Sequence, residues 1–155
     1  MAGYKKILFP TAFSEFSDIA LEHAVYIAKC SSAKLYLLHI VEMFLPDPNA
    51  VIGGYENVSN LYEGLEKEAV ERLKKLGQDE RLKDLNVETY VRLGKPFIEI
   101  IKFSKDFSVD CIVMGTHGQS AIEHALFGST AEKVVRKSFC PVLTVKHPDH
   151  EFKMP

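Results

Sequence analysis

The amino-acid sequence predicts an α/β protein built on one open, parallel, five-stranded sheet with helices on both faces. Three observations predict it. Short apolar runs alternate strictly with longer segments whose apolar residues recur every three or four positions, the order that builds parallel sheets through helical crossovers. The apolar runs are nearly continuous, as in KLYLLHIV at 34–41, and strands apolar on both faces belong in sheets covered on both sides. The length, 155 residues, suits a single domain, and a chain of this size buries about 68–70% of its unfolded surface. Such a core needs neither disulfides nor a structural metal.

Each element has its own signal. The run KKILFP at 5–10 is a buried strand closed by Pro10, which has no amide to donate to a ladder. Ser14 is placed to cap a helix whose apolar stripe is Phe16, Ile19, Ala20, Ala24, Ile27 and Ala28. Glu15 and Asp18 at its start and Lys29 at its end complement the helix dipole. The second strand is 34–41. The connection at 42–59 contains Pro46, Pro48, Gly53 and Gly54; irregular stretches of this length are often functional, and its role stays open. From 60 to 77, Leu61, Leu65, Ala69, Leu73 and Leu76 line one helical face, and Gly77 is placed to stop it. The charged run between Glu63 and Lys75 is the solvated side of that helix. A third strand at 87–93 leads through Gly94 and Pro96 into a helix at 97–107. A fourth strand at 110–114, a glycine-rich connection, a helix at 130–137 and a fifth strand at 141–145 complete a domain spanning 1–147. Residues 148–155 form a polar tail.

Composition narrows the function. The 19 Lys and Arg against 21 Asp and Glu leave a net charge of −2, with no basic surplus to drive nucleic-acid binding. No apolar run approaches the ~20 residues of a membrane helix, and the first residues lead into a strand without a signal-peptide pattern. Cys30, Cys111 and Cys140 are three and widely spaced, with neither CxxC nor zinc-ligand spacing. They are expected to be reduced thiols in a cytoplasmic protein, with Cys111 a small core residue.

Ligands of open α/β sheets bind beyond the carboxyl ends of the strands, where the strand order reverses. The segments to search are therefore 10–14, 41–43, 94–96 and 115–130. The last is the richest: Gly115-Thr116-His117-Gly118, nine residues, then Gly128-Ser129-Thr130. Glycine lets backbone amides approach a ligand closely. Helix N-termini carry unpaired N–H groups and the positive end of a dipole, the physical basis of phosphate binding. Gly118 and Gly128 are expected to present amides, with the Ser129 and Thr130 hydroxyls beside them. The bland alternative is a strand-end turn at Gly115 and an ordinary helix cap at Ser129 or Thr130. Neither a Walker A loop nor a dinucleotide GxGxxG matches this spacing.

The GTHG-x9-GST pattern resembles the Gly-x-x-Gly-x9-Gly-[Ser/Thr] signature of the universal stress protein family, in its nucleotide-binding branch. The similarity extends over nearly the whole chain, through KKILFPTAFSEFSDIALEHAVYIAK, KLYLLHIV, VDCIVMGTHG and GSTAEKVVRKSFCPVLTVK. The resemblance implies a Rossmann-like sheet of order 3-2-1-4-5, a homodimer, and a bound adenine nucleotide. By matching positions it places the phosphates on Gly118, Gly128, Ser129 and Thr130, and the ribose near Gly115 and Thr116. It places the adenine against Val41, through main-chain groups, with Pro10 and Thr11 bordering the pocket. One position departs: the branch usually has Asp where this chain has Ala12. A methyl cannot accept from a ribose hydroxyl or an adenine amine, a loss of about 0.5–1.5 kcal/mol.

Other residues are expected to be structural. His117 and His124 have no nucleophile or carboxylate partner in the sequence and read as surface residues; His39 reads as a core histidine. Ile122, Leu126 and Phe127 read as packing the connecting loop onto the domain. Asp110 has no identifiable metal-binding partners, and Mg²⁺ would ride on nucleotide phosphates. The last strand, PVLTV, is an unprotected sheet edge. Pairing with the same strand of a second copy would close a twofold dimer through Val142, Leu143 and Val145. The expected function is ATP, ADP or AMP binding in a regulatory role with no turnover or very slow hydrolysis, so at most a slow ATPase. The alternative is a stress-related interaction protein that has weakened or lost nucleotide binding at Ala12.

Overall fold

The computed structural model describes residues 3–44, 55–117 and 128–148. Five strands and four helices alternate: β1 (Lys6–Pro10), α1 (Glu15–Ser31), β2 (Lys34–Glu42), α2 (Tyr55–Gly77), β3 (Val87–Gly94), α3 (Pro96–Asp106), β4 (Cys111–Gly115), α4 (Ser129–Lys137) and β5 (Val142–Val145), with a 3-10 turn at Glu80–Leu82 before β3. All pairings are parallel, in the order β3-β2-β1-β4-β5. The order reverses between β1 and β4, as expected from the sequence.

The core lies on both faces, as the two-sided apolar strands require. On one face Ile7, Phe9, Leu35, Leu37 and Val113 pack against Leu21, Ala24 and Ala28 of α1 and Leu73 of α2. On the other, Leu8, Leu38 and Ile112 pack against Ile100 and Phe103 of α3 and Val134 of α4. That second face is aromatic: Phe103 stacks on Phe107 at 4.1 Å, and both meet Tyr36 and Tyr90 edge-on. Cys111 is buried, which pushes its thiol pKa up.

Helix starts are the main departures from the sequence-based boundaries. α1 begins as expected, with Ser14 accepting from the Ser17 amide. α2 begins five residues earlier than expected, at Tyr55 rather than 60. Its face is also less buried than the pattern implies, because Leu61 is 60% exposed and Leu65 is exposed as well, whereas Ala69 and Leu73 are buried. The reason is overhang. The Tyr62 hydroxyl exchanges hydrogen bonds with the backbone of Phe44, two residues past the end of β2, at 3.0 Å. The first turns of α2 therefore rise beyond the sheet. α4 begins at Ser129, with Gly128 as its cap and no side-chain capping bond, so neither Ser129 nor Thr130 is the cap.

At the amino ends of the strands Asp110 is a structural tie. Its Oδ2 accepts from the Lys5 and Lys6 amides at 2.8 Å each, and the Lys6 ammonium donates to the Phe107 carbonyl. Arg81, in the turn before β3, bonds Asp79 and Asp18 at 2.7 Å and pins that connection to α1.

Candidate functional site

A cavity of about 790 Å³ opens at the carboxyl ends of β1, β2 and β4, over the point where the strand order reverses. It is walled by the β1–α1 turn, the end of β2, the middle of α2 and the starts of α3 and α4. Pro10, Thr11, Ala12, Val41, Gly115, Thr116, Gly128, Ser129 and Thr130, all singled out from the sequence, line it together. Gly118 lies outside the described residues, as do His124, Ile122, Leu126 and Phe127.

β4 delivers the first wall. A Cβ at Gly115 would come within 2.8 Å of the Phe16 carbonyl oxygen. Only glycine lets the first turn of α1 sit this close to the end of β4. Thr116 follows, fully buried, its amide bonded to the Val145 carbonyl. The Gly128 amide donates to the Thr116 carbonyl at 2.6 Å. This corrects one expectation, because the Gly128 N–H closes the connecting loop and is not presented to a ligand. The first-turn amides of α4, from Ser129 onward, have no intrahelical acceptor and stand at the cavity with the positive end of the helix dipole.

His117 is 4% exposed, not the surface residue expected. Its ring lies 5.4 Å from Phe16, and Nδ1 lies 3.0 Å from the Thr116 hydroxyl oxygen. The chain turns inward after β4 because Thr116 is anchored between Val145 and Gly128.

β2 builds the opposite wall. β1 pairs with β2 only as far as Pro10 beside Leu38. The Thr11 amide adds one bond to the Leu38 carbonyl. Main-chain groups alternate sides along a strand, and Leu35 and Met43 donate toward the β3 side while Leu38 accepts from the β1 side. It follows that Ile40, and not Val41, turns its N–H and C=O toward the β1 side and the cavity. Val41 contributes a buried side chain. The sequence could not show this, because the two neighbours differ only in register.

Three cavity residues escaped the sequence reading. His39 is not enclosed in the core; it lines the cavity, with Nδ1 2.7 Å from the Thr11 carbonyl oxygen. Its pKa is lowered, chiefly by burial and further by the Arg72 charge, against an opposing effect of the Thr11 bond. Phe13 adopts a left-handed backbone at φ 55, unusual for a bulky residue. That conformation brings its ring to 4.5 Å from His39. The Arg72 guanidinium of α2 lies 4.2 Å from the Phe13 ring centre, making Arg72 the only Lys or Arg among the described lining residues. A lone polar residue inside the run LYLLHIV was the available signal for His39; nothing local joins Phe13 to Arg72.

The sequence model of the universal stress protein family matches residues 3–146. The chain belongs to the universal stress protein family. It is 37% identical, over 96% of its length and 85% of the relative's, to one universal stress protein of Methanocaldococcus jannaschii. A second protein of that organism is 34% identical over 92% of this chain and 95% of its own. Its solved structure superposes with a TM-score of 0.83, over 95% of this chain and 99% of that one. A universal stress protein solved in complex with cAMP matches at a TM-score of 0.58 and 25% identity, covering 93% of this chain and 98% of that one.

Proposed function

We propose that this universal stress protein binds ATP or a related adenine nucleotide, ADP or AMP, in the cavity at the strand-order reversal, in a regulatory role. The observation that carries the reading is the pairing of two subsites in one cavity: the open first turn of α4 and the free main-chain edge of β2 past Leu38. The α4 end, with the Ser129 and Thr130 amides and hydroxyls, would take the phosphates, and Gly115 and Thr116 would border the ribose. Ile40 would read the base edge through its main chain, with Val41, Pro10 and Thr11 beside it. With a chain charge of −2 there is no net positive field to hold the anion; local amides and the α4 helix end would hold it, with Mg²⁺ carried on the phosphates. The cAMP complex of a relative supports an adenine ligand.

The role we propose is binding without efficient turnover; among the described residues the carboxylates lining the cavity are Glu42 and Glu68, on the β2 and α2 walls. Three free cysteines fit a reducing, cytoplasmic setting. A homodimer would form by antiparallel pairing of the outer edge of β5. Leu143 is 38% exposed there, whereas Val145 is buried in the chain's own core. Leu143 and the strand backbone would therefore make the contact, with Val142 flanking.

Calorimetric titration with ATP, ADP and AMP tests the reading, together with chromatography of nucleotide released by denaturing the purified protein. Micromolar binding or co-purified adenine nucleotide is expected. Absence of binding at millimolar nucleotide overturns it in favour of the second reading, an interaction protein that has lost its ligand, which Ala12 favours.

A further inference from the structure

The nucleoside half of the proposed site lacks a side-chain acceptor at position 12, where Ala12 presents only a methyl group. A buried donor on the ligand would be left unpaired there, and an unmade bond of this kind is costly. The cavity holds another acceptor one strand away. His39 follows Leu38, the last residue of β2 paired with β1, and shares a strand face with Val41.

The tautomer of His39 is set by its neighbour. A carbonyl oxygen can only accept, so the 2.7 Å contact between Nδ1 and the Thr11 carbonyl places the proton on Nδ1. Nε2 then carries a lone pair. Burial and the Arg72 charge both oppose a second proton on the ring. The Phe13 ring packs at 4.5 Å and holds the imidazole in one orientation. Of the two carboxylates among the described lining residues, Glu68 is drawn to Arg72 at 3.8 Å, and Glu42 is exposed at the end of β2. The Thr11 and Ser17 hydroxyls beside Ala12 already accept from the Phe13 and Ala12 amides.

We propose that His39 determines specificity in this site: its Nε2 accepts a hydrogen bond from an uncharged donor on the nucleoside, the adenine amine or a ribose hydroxyl, in place of the acceptor that Ala12 lacks. The proposal rests on the nucleotide reading above. It makes the β1–α1 turn and His39 one device, in which the Thr11 main chain orients the ring that meets the ligand.

The test is a set of titrations on the full chain, His39→Asn and His39→Gln, with ATP, 2′-deoxyATP, 3′-deoxyATP and ITP. An Asn amide can keep the bond to Thr11 but stops short of the Nε2 position; a Gln carbonyl reaches it. His39→Asn is expected to weaken ATP binding about three- to tenfold, and His39→Gln less. One analogue loses affinity by a similar factor in the unsubstituted chain and no further in His39→Asn. ITP in that role identifies the amine; a deoxy analogue identifies the hydroxyl.

Equal ATP affinity in His39→Asn and the unsubstituted chain overturns the proposal while leaving nucleotide binding standing. Failure of the unsubstituted chain to bind ATP overturns both. Imidazole ¹⁵N spectra of the unsubstituted chain give a readout independent of any variant. Nε2 should be unprotonated in the free protein and move on addition of ATP; a protonated or unmoved Nε2 overturns the proposal.

Discussion

The two ends of the sheet handle strained backbone in opposite ways. At the amino ends, where helices turn back into strands, Ser32, Asp84 and Ser108 take left-handed conformations at φ 52, 67 and 50. They are small polar residues at helix and turn exits, where that conformation closes the helix economically. At the carboxyl end of β1 the same conformation falls on Phe13, at φ 55, at a cost of order 1–3 kcal/mol. In return, Phe13 lies against His39 and under Arg72. The amino end is closed chemically too, with the Lys5 and Lys6 amides at the start of β1 tied to Asp110. The carboxyl end keeps main-chain groups of β2 and α4 facing a cavity. One end is spent on stability and the other is held ready for a ligand.

The largest expected effect that breaks this contrast comes from Gly115→Val. The new Cβ meets a backbone carbonyl at 2.8 Å, so α1 must move off β4, and overpacking of this kind costs about 1–3 kcal/mol. Chemical denaturation should show a loss near the top of that range, and calorimetry should show nucleotide binding lost with it. Retained affinity would mean the cavity does not depend on the close approach of α1. Asp110→Ala should separate the ends cleanly. It removes two charge-assisted bonds, one at an exposed amide, and should lower stability by about 2 kcal/mol. ATP affinity in the folded protein should stay unchanged, because the site lies at the opposite end of the strands.

The topology was more legible in the sequence than the detail at either end of the sheet. Continuous apolar strands and a strict element order carry the topology, because burial on both faces leaves few alternatives. Gly115, Ser129 and Thr130 were legible because glycine and helix-start chemistry are local. His39 reads as a core residue in the sequence because its polar bond, to Thr11, joins residues 28 apart along the chain. Arg72 looks like part of a solvated helix face because its approach to Phe13 depends on how α2 packs beside the β1–α1 turn, which no pattern within the helix records. The exchange between Val41 and Ile40 depends on where β1 stops pairing, which no pattern within β2 records.

Ala12→Asp tests how far the open end has already compensated. Adding the carboxylate to a site without another acceptor should tighten ATP binding by up to about tenfold. With His39 in place the gain should be smaller, about twofold to threefold, because the donor is already met. In the His39→Asn background the full gain should return. Such non-additivity is the mark of two groups serving one partner. Equal gains in both backgrounds, read by calorimetry, would show that Ala12 and His39 address different parts of the ligand.

The smallest expected effect is a pH dependence confined to the open end. Burial and the Arg72 charge lower the His39 pKa below its ordinary value, with the Thr11 carbonyl opposing them. Arg72 and Glu68 are the charged groups that face it from α2, and Thr11 and Phe13 are its neighbours from the β1–α1 turn. The unfolded chain therefore takes up this proton at a higher pH than the folded one. By linkage, stability rises with pH wherever the unfolded state holds more protons. The His39 contribution is then complete above about pH 6.5 and is lost as pH falls through the lowered folded value. The difference in unfolding free energy between the unsubstituted chain and His39→Asn, followed from pH 8 to pH 5, should narrow on acidification. Protonation also turns the Nε2 acceptor into a donor, so the affinity advantage for ATP should fade as pH falls through the lowered folded value. A difference that stays flat would mean that His39 takes up its proton at the same pH in the folded and unfolded chains, and that the open end is not tuned by its proton.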